Sequence, residues 1–265
     1  MSATTSELTP WRRSVLLLGG HESLPGQNLG ESAEPAGARI LGPGRELQAA
    51  VRERSRIVAV PMTLGRDREL AAVAAQTLSW AARGRAPGDL LLAGPLGTTG
   101  HLVGWIRAAA GRVLRDGPPR QAVLLVAPAA GPEPDAELFR VARLVWQYLP
   151  ARWVEVALTD GDPNVDEGVE RCRRLGADGV VLVPASFVPA PVRADTRTAG
   201  ALLGPAALTE LIRERVTEAE RRWTRRGDDG LSAAAAEHHH DDHDHHRGFP
   251  TPAVTNPEGA PFHGG

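Results

Sequence analysis

Lysine is absent from this 265-residue chain, so all 30 of its basic side chains counted as Lys+Arg are arginines. With Ala, Gly and Pro abundant, this reads as the imprint of a GC-rich genome rather than of a function. Against 32 carboxylates the formal net charge is −2, which leaves no electrostatic footprint for nucleic acid or for an anionic membrane. A single cysteine, Cys172, excludes a disulfide framework and points to a reducing, cytoplasmic setting. Its simplest role is that of a small apolar side chain within a helix. No apolar run approaches the ~20 residues of a membrane-spanning helix, and Met1 to Arg13 has no apolar signal segment. Phosphate-loop and dinucleotide fingerprints are missing as well. The glycine-rich stretch 94–100 (GPLGTTG) has no lysine, and Ser23 lacks the Gly-x-Ser-x-Gly surroundings of a hydrolase nucleophile.

What is present is an alternation of short apolar runs and longer amphipathic ones. Val15–Leu18, Ile57–Val60 and Leu90–Ala93 in the first half, and Ala122–Val126, Val154–Leu158 and Val180–Val183 in the second, predict buried strands. Continuous apolar runs argue for parallel strands covered on both faces. Helical spacing occurs over 70–81, 138–149 and 208–223. The implied architecture is α/β, built of βαβ units. A weak repeat of roughly 110 residues matches Ile57–Leu64 with Val180–Phe187, and Leu96-Gly97 with Leu203-Gly204. The first half reads as abbreviated, with a Gly/Pro-rich stretch over 26–44. The expected organisation is a polar leader (1–12), one lobe over 13–118, a second over 119–226, and a tail over 227–265 too poor in apolar residues to fold alone. Two such lobes would face one another across a ligand-binding cleft.

Two histidines fall in the folded part. His21 follows the first strand in Gly19-Gly20-His21-Glu22-Ser23. Loops at the carboxyl ends of strands are where α/β folds place their sites, and an imidazole there can bind a metal or accept a proton. A capping role in the next helix would account for it equally simply. Glu22 is the adjoining carboxylate, a proton acceptor or second ligand if it converges on His21, a solvated charge otherwise. His101 opens a helix after another strand and is either a ligand or a capping residue. Arg66, Arg68, Arg193 and Arg197 lie near loop–helix junctions and could grip the carboxylates of a substrate. The densest chemical signal is in the tail, where His238, His239, His240, His243, His245 and His246 are interleaved with aspartates. A purification tag would be regular and terminal, and this run is neither. Imidazoles on a flexible segment suit cobalt, nickel, copper or zinc, as a loader or store.

These residues resemble the class II tetrapyrrole chelatases, the group of the sirohydrochlorin cobaltochelatases and ferrochelatases. The resemblance covers roughly residues 14–226. It rests on Leu17-Leu18-Gly19-Gly20-His21-Glu22-Ser23, on Pro61-Met62-Thr63-Leu64 and Pro184-Ala185-Ser186-Phe187, on Leu-Gly at 96–97 and 203–204, and on Pro163-Asn164-Val165-Asp166-Glu167-Gly168 with Leu175-Gly176-Ala177. It implies two flavodoxin-like lobes about a central cleft. It also implies His21 as metal ligand or base, and insertion of a divalent metal into a sirohydrochlorin-like tetrapyrrole for cobalamin or siroheme synthesis, with no organic cofactor. The chain departs from the family pattern where a second histidine is expected: it reads Leu64-Gly65-Arg66-Asp67-Arg68-Glu69 there, and no histidine occurs in the second half before the tail. Asp67, Glu69, Glu22 or His101 would then supply the second ligand. The imidazole-rich tail favours Co(II), with Fe(II) or Ni(II) as alternatives. A monomer is expected. The rival reading is a non-catalytic cobalt or nickel metallochaperone or store on the same scaffold.

Overall fold

The computed structural model describes residues 13–24, 26, 39–232 and 234. Two four-stranded sheets, all parallel, form its frame. The first contains β1 (Ser14–Leu18), β2 (Ile40–Leu41), β3 (Ile57–Pro61) and β4 (Leu90–Leu92) in the order β2-β1-β3-β4. The second contains β5 (Gln121–Pro128), β6 (Trp153–Thr159), β7 (Gly179–Pro184) and β8 (Thr196–Thr198) in the order β6-β5-β7-β8. All eight residues of β5 are buried, as a strand covered on both faces requires. The six predicted strands are all found. The short β2 and β8 were not foreseen, since neither carries an apolar run.

In each sheet the chain leaves the central strand in one direction and returns on its other side. The order therefore reverses between β1 and β3, and again between β5 and β7, the positions where ligands bind in open α/β sheets.

The helices are α1 (Arg45–Arg52), α2 (Glu69–Ala81), α3 (Thr99–Leu114), α4 (Pro132–Trp146), α5 (Val165–Arg174) and α6 (Pro205–Arg226). Because successive strand residues point to opposite faces, each sheet presents two apolar surfaces. Leu16, Leu18, Ile57 and Ala59 pack with α1 and α2, whereas Leu17, Val58, Val60 and Leu91 pack with Ile212, Val216 and Ala219 of α6. In the second sheet Leu124, Val126 and Leu182 meet Val169 and Cys172 of α5. Its other face, with Val123, Leu125 and Val183, meets Leu102 and Ile106 of α3 and Leu138 and Val141 of α4. Thus α3, from the first half of the chain, covers the second sheet, and α6, from the second half, covers the first. Residues 13–118 carry β1–β4 with α1–α3 and residues 119–226 carry β5–β8 with α4–α6, and each half lends its last helix to the other.

Two further expectations are revised. The stretch 26–44 is not a bare replacement for helix–strand–helix, since β2 lies within it and α1 follows it; residues 27–38 lie outside the described residues. The Leu-Gly match is one residue out of step. The N-cap residues Thr98 and Gly204 occupy corresponding places before α3 and α6, which aligns Leu96 with Leu202, both buried.

The chain does not lose contact with the core at 227. Gly227 closes α6 in the left-handed conformation (φ 64°) and donates its N–H to Trp223 O at 2.8 Å. Asp229 then accepts the N–H of Leu92 in the edge strand β4 at 2.9 Å, and Leu231 is buried with Leu18 and Leu70. Residues 227–231 are a strap around the edge of the first sheet. One leucine and a free strand edge accomplish what composition alone did not signal. The histidine-rich run 238–246 and the leader 1–12 lie outside the described residues.

Candidate functional site

At the switch point of the first sheet, the loops after β1 and β3 meet. His21 stands on the first loop and Asp67 on the second. His21 Nδ1 lies 3.3 Å from Asp67 Oδ2, and the His21 backbone N–H donates to the same oxygen at 3.2 Å. The other oxygen, Oδ1, accepts the N–H of Leu70 at 3.1 Å and so caps the start of α2. The side chains are 18% and 13% exposed. Burial pushes the Asp67 carboxyl upward. The hydrogen bonds and charge of His21, with the Leu70 N–H, outweigh it and hold the group below the usual carboxylate range. Gly20 is required here: a Cβ at that position would fall on the Asp67 carboxylate. Gly65 is required too, at φ 99° with space for a Cβ only 2.7 Å from the Thr99 nitrogen.

With Nδ1 turned to a carboxylate, Nε2 is the nitrogen left for a ligand. It is buried and has no hydrogen-bond partner among the described residues. A carboxylate behind an imidazole fixes the tautomer with its proton on Nδ1 and leaves the Nε2 lone pair available, the usual arrangement of a metal-bound histidine. Both contacts of Asp67 Oδ2 are thus with His21, one to its ring and one to its backbone. Among the described residues no cluster of three or more His, Cys, Asp or Glu side chains is arranged to hold a metal.

The remaining predicted site residues are placed as follows. Glu22 is fully buried and does not share the surface of His21. Its Oε2 accepts the Thr63 hydroxyl and the backbone N–H groups of Leu64 (2.9 Å), Arg66 (3.2 Å) and Asp67 (3.1 Å). That oxygen is taken up by its four donors, whereas Oε1 is buried with no partner among the described residues. His101 is a capping residue. Its N–H donates to Thr98 Oγ1 at 3.4 Å, its Nδ1 lies 3.3 Å from the Thr98 nitrogen, and its ring stacks on Trp105. The ligand reading of His101 gives way to that role.

Of the four arginines, Arg66 has no exposed side-chain surface. It crosses to the second lobe, where Nε donates to Pro134 O at 3.1 Å and Nη2 lies 3.4 Å from Asp135 Oδ1. Burial lowers its pKa against the raising influence of Glu22, Asp135, Asp67 and Glu137. Arg197 reaches down to Gln121 Oε1 (3.1 Å) at the amino end of the second sheet, the wrong end for the site. Arg193 is engaged by Asp166 at 2.7 Å on the α5 side. Arg68, beside Asp67, is exposed at the head of α2 and is the one arginine of the four free to meet a ligand next to His21.

The expected cleft is, at this point, a packed seam. Phe187 of the β7 loop donates its N–H to Glu22 O at 2.9 Å, and Arg66 bridges to Asp135. Phe187 and Asp135 were not anticipated. A loop residue that acts through its backbone, and an aspartate in the first turn of a helix, carry no distinguishing pattern in sequence.

No family model matches the chain. A sirohydrochlorin cobaltochelatase of Priestia megaterium is 37% identical over 70 residues, which is 25% of this chain and 23% of that protein's length. The structure of SirB from Bacillus subtilis with Fe3+ superposes at a TM-score of 0.50 and 13% identity, covering 82% of this chain and 99% of that one. The sirohydrochlorin chelatase SirB from Bacillus subtilis subspecies spizizenii, in complex with cobalt, gives a TM-score of 0.43 at 14% identity over 69% of this chain and 78% of that one. The solved structures share the fold of this chain, and the sequence likeness to the cobaltochelatase is confined to one 70-residue stretch, so the chain spans about a quarter of that relative's length.

Proposed function

We propose that the protein inserts a divalent metal, Co(II) ahead of Fe(II) or Ni(II), into a polycarboxylate tetrapyrrole of the sirohydrochlorin type. The observation that carries this reading is the unpartnered Nε2 of His21, backed through Nδ1 by Asp67 at the switch point. One imidazole suits a metal that must be handed on. It strips part of the hydration shell yet leaves most coordination positions to water, which the pyrrole nitrogens can replace. As the ion passes to the macrocycle, two pyrrole protons are released. The vacated Nε2 can accept one and solvent the other. Arg68 is positioned to meet a substrate carboxylate at the head of α2. The preference for cobalt over iron follows the affinity order for imidazole donors, and the preference over nickel, which that order does not give, follows the relative's name.

The run His238, His239, His240, His243, His245 and His246 would gather the metal. Its chain departs from Leu231, which shares a core with Leu18 and Leu70 beside the two site loops. An extended chain from that anchor reaches at most ~25 Å at His238 and ~50 Å at His246. That is sufficient to raise the metal concentration at His21 by tethering.

A non-catalytic cobalt or nickel carrier on the same scaffold is the second reading, favoured by the closed seam over Glu22 and Arg66. Absorbance of sirohydrochlorin with Co(II) separates the two. The full chain should metallate it faster than the spontaneous reaction, and His21→Ala should not, at any metal concentration. A chain with the six histidines of the run 238–246 changed to serine should fall behind only when metal is scarce. No acceleration by the full chain would exclude the chelatase reading.

A further inference from the structure

We infer that Glu22 is a positioning residue: an internal anion that folds the loop after β3 so that Asp67 faces His21. The inference rests on His21 being the metal-binding group proposed above. Four donors converge on one oxygen of Glu22, all from Thr63, Leu64, Arg66 and Asp67, the run that ends on the residue holding the imidazole. Backbone N–H groups aimed at a common point repel one another unless an anion sits there, and such concave arrangements are built around negative charge. Thr63 adds a second tie, since its hydroxyl accepts the N–H of Gly65 at 3.1 Å while donating to Glu22. On the other side Glu22 is fixed by its own backbone, whose carbonyl takes the N–H of Phe187 from the second lobe. Ser23 completes the joint by donating its hydroxyl to Met62 O at 2.9 Å. The loops after β1 and β3 are thus joined through Glu22 and Ser23, beneath the pair that meets the metal.

A buried carboxylate with its other oxygen, Oε1, unpartnered among the described residues is costly to the fold. Its persistence is accounted for by what the charge organises. Glu22 itself touches neither metal nor substrate in this scheme. It acts on them through Asp67 and the tautomer of His21.

The test uses the full-length chain with the six histidines of the run 238–246 and His263 changed to serine, so that Co(II) reports on His21. Nitrogen-15 imidazole spectra give the tautomer, and titration with Co(II) gives the affinity. Glu22→Ala should shift His21 from the Nδ1–H form to a mixture and weaken Co(II) about tenfold, within the ~10–100-fold range for losing an outer-shell partner. Thr63→Val, which removes one donor and keeps the anion, should move both readings the same way by a smaller amount, and it decides the matter if Glu22→Ala does not fold. Glu22→Ala combined with Asp67→Asn should be no weaker than Asp67→Asn alone, because both act through one contact. An unchanged tautomer, or losses that add in the double variant, would overturn the inference. If His21→Ala leaves Co(II) binding intact, the metal-site reading fails instead, while the tautomer measurement still decides the role of Glu22.

Discussion

The two switch points of this molecule share a backbone and differ in chemistry. Counted from the paired residues Leu18–Pro61 and Val126–Pro184, the positions of His21, Glu22 and Asp67 fall on Ala129, Ala130 and Ala190. The frames agree in detail. Met62 donates to Leu18 O at 2.7 Å where Ala185 donates to Val126 O at 2.8 Å. Thr63 accepts the Gly65 N–H at 3.1 Å where Ser186 accepts that of Val188 at 3.1 Å. Strand order therefore fixes where a site could be, and three side chains decide whether one exists. Among the described residues the second lobe meets the first site from outside, through Phe187, Pro134 and Asp135.

That contrast can be tested from its strongest point downward. His21→Ala should reduce tetrapyrrole metallation to the spontaneous rate and leave the two switch points alike; turnover well above that rate would show that the distinction lies elsewhere. Asp67→Asn should cost ~10–100-fold in metal affinity, the range for losing an outer-shell partner of a ligating imidazole. Gly20→Ala should approach it by displacing the same carboxylate, and parallel Co(II) titrations compare them. Leu231→Ala should lower unfolding free energy by about 2 to 3 kcal/mol, the lower part of the range for truncating a buried leucine, because Leu231 packs at the edge of the first-sheet core. Denaturant melts of the full chain measure this.

The pH dependence follows from the depressed Asp67. A carboxyl whose folded pKa lies below its unfolded one, ~3.9, stabilises the fold fully above that value and ceases to do so as pH falls through the folded pKa. The Tm difference between the parent and Asp67→Asn should thus be largest above about pH 4 and close below it. Smallest of all, Ala129→His should add no Co(II) site, since Ala190 offers no carboxylate to orient the new ring.

Much of the frame was legible because parallel strands buried on both faces leave long apolar runs, and six of eight did so. β2, with two residues, and β8, a Thr-Arg-Thr edge strand, leave no such run. His21 stood out as a candidate because two glycines and a histidine follow a strand, although a capping role fitted that pattern equally well. The role of its neighbour was not legible. In sequence Glu22 is a carboxylate beside an imidazole, and only the fold of residues 63–67 shows that its charge is spent on backbone N–H groups. The arginines misled because charge in a sequence carries no direction; Arg66 points into a seam and Arg197 toward the opposite end of its sheet. Exchange of α3 and α6 was equally hidden, since the apolar stripe of a helix does not name the sheet it will cover.

The exchange of those two helices has a consequence for how the duplicated halves can diverge. Without α6 the surface of Leu17, Val58 and Val60 would be open to water, so the half with alanines at its switch point cannot be discarded while the half with His21 is kept. Each is the other's roof. A chain so interlaced must keep both halves together, and the half with alanines at its switch point serves to shelter the other.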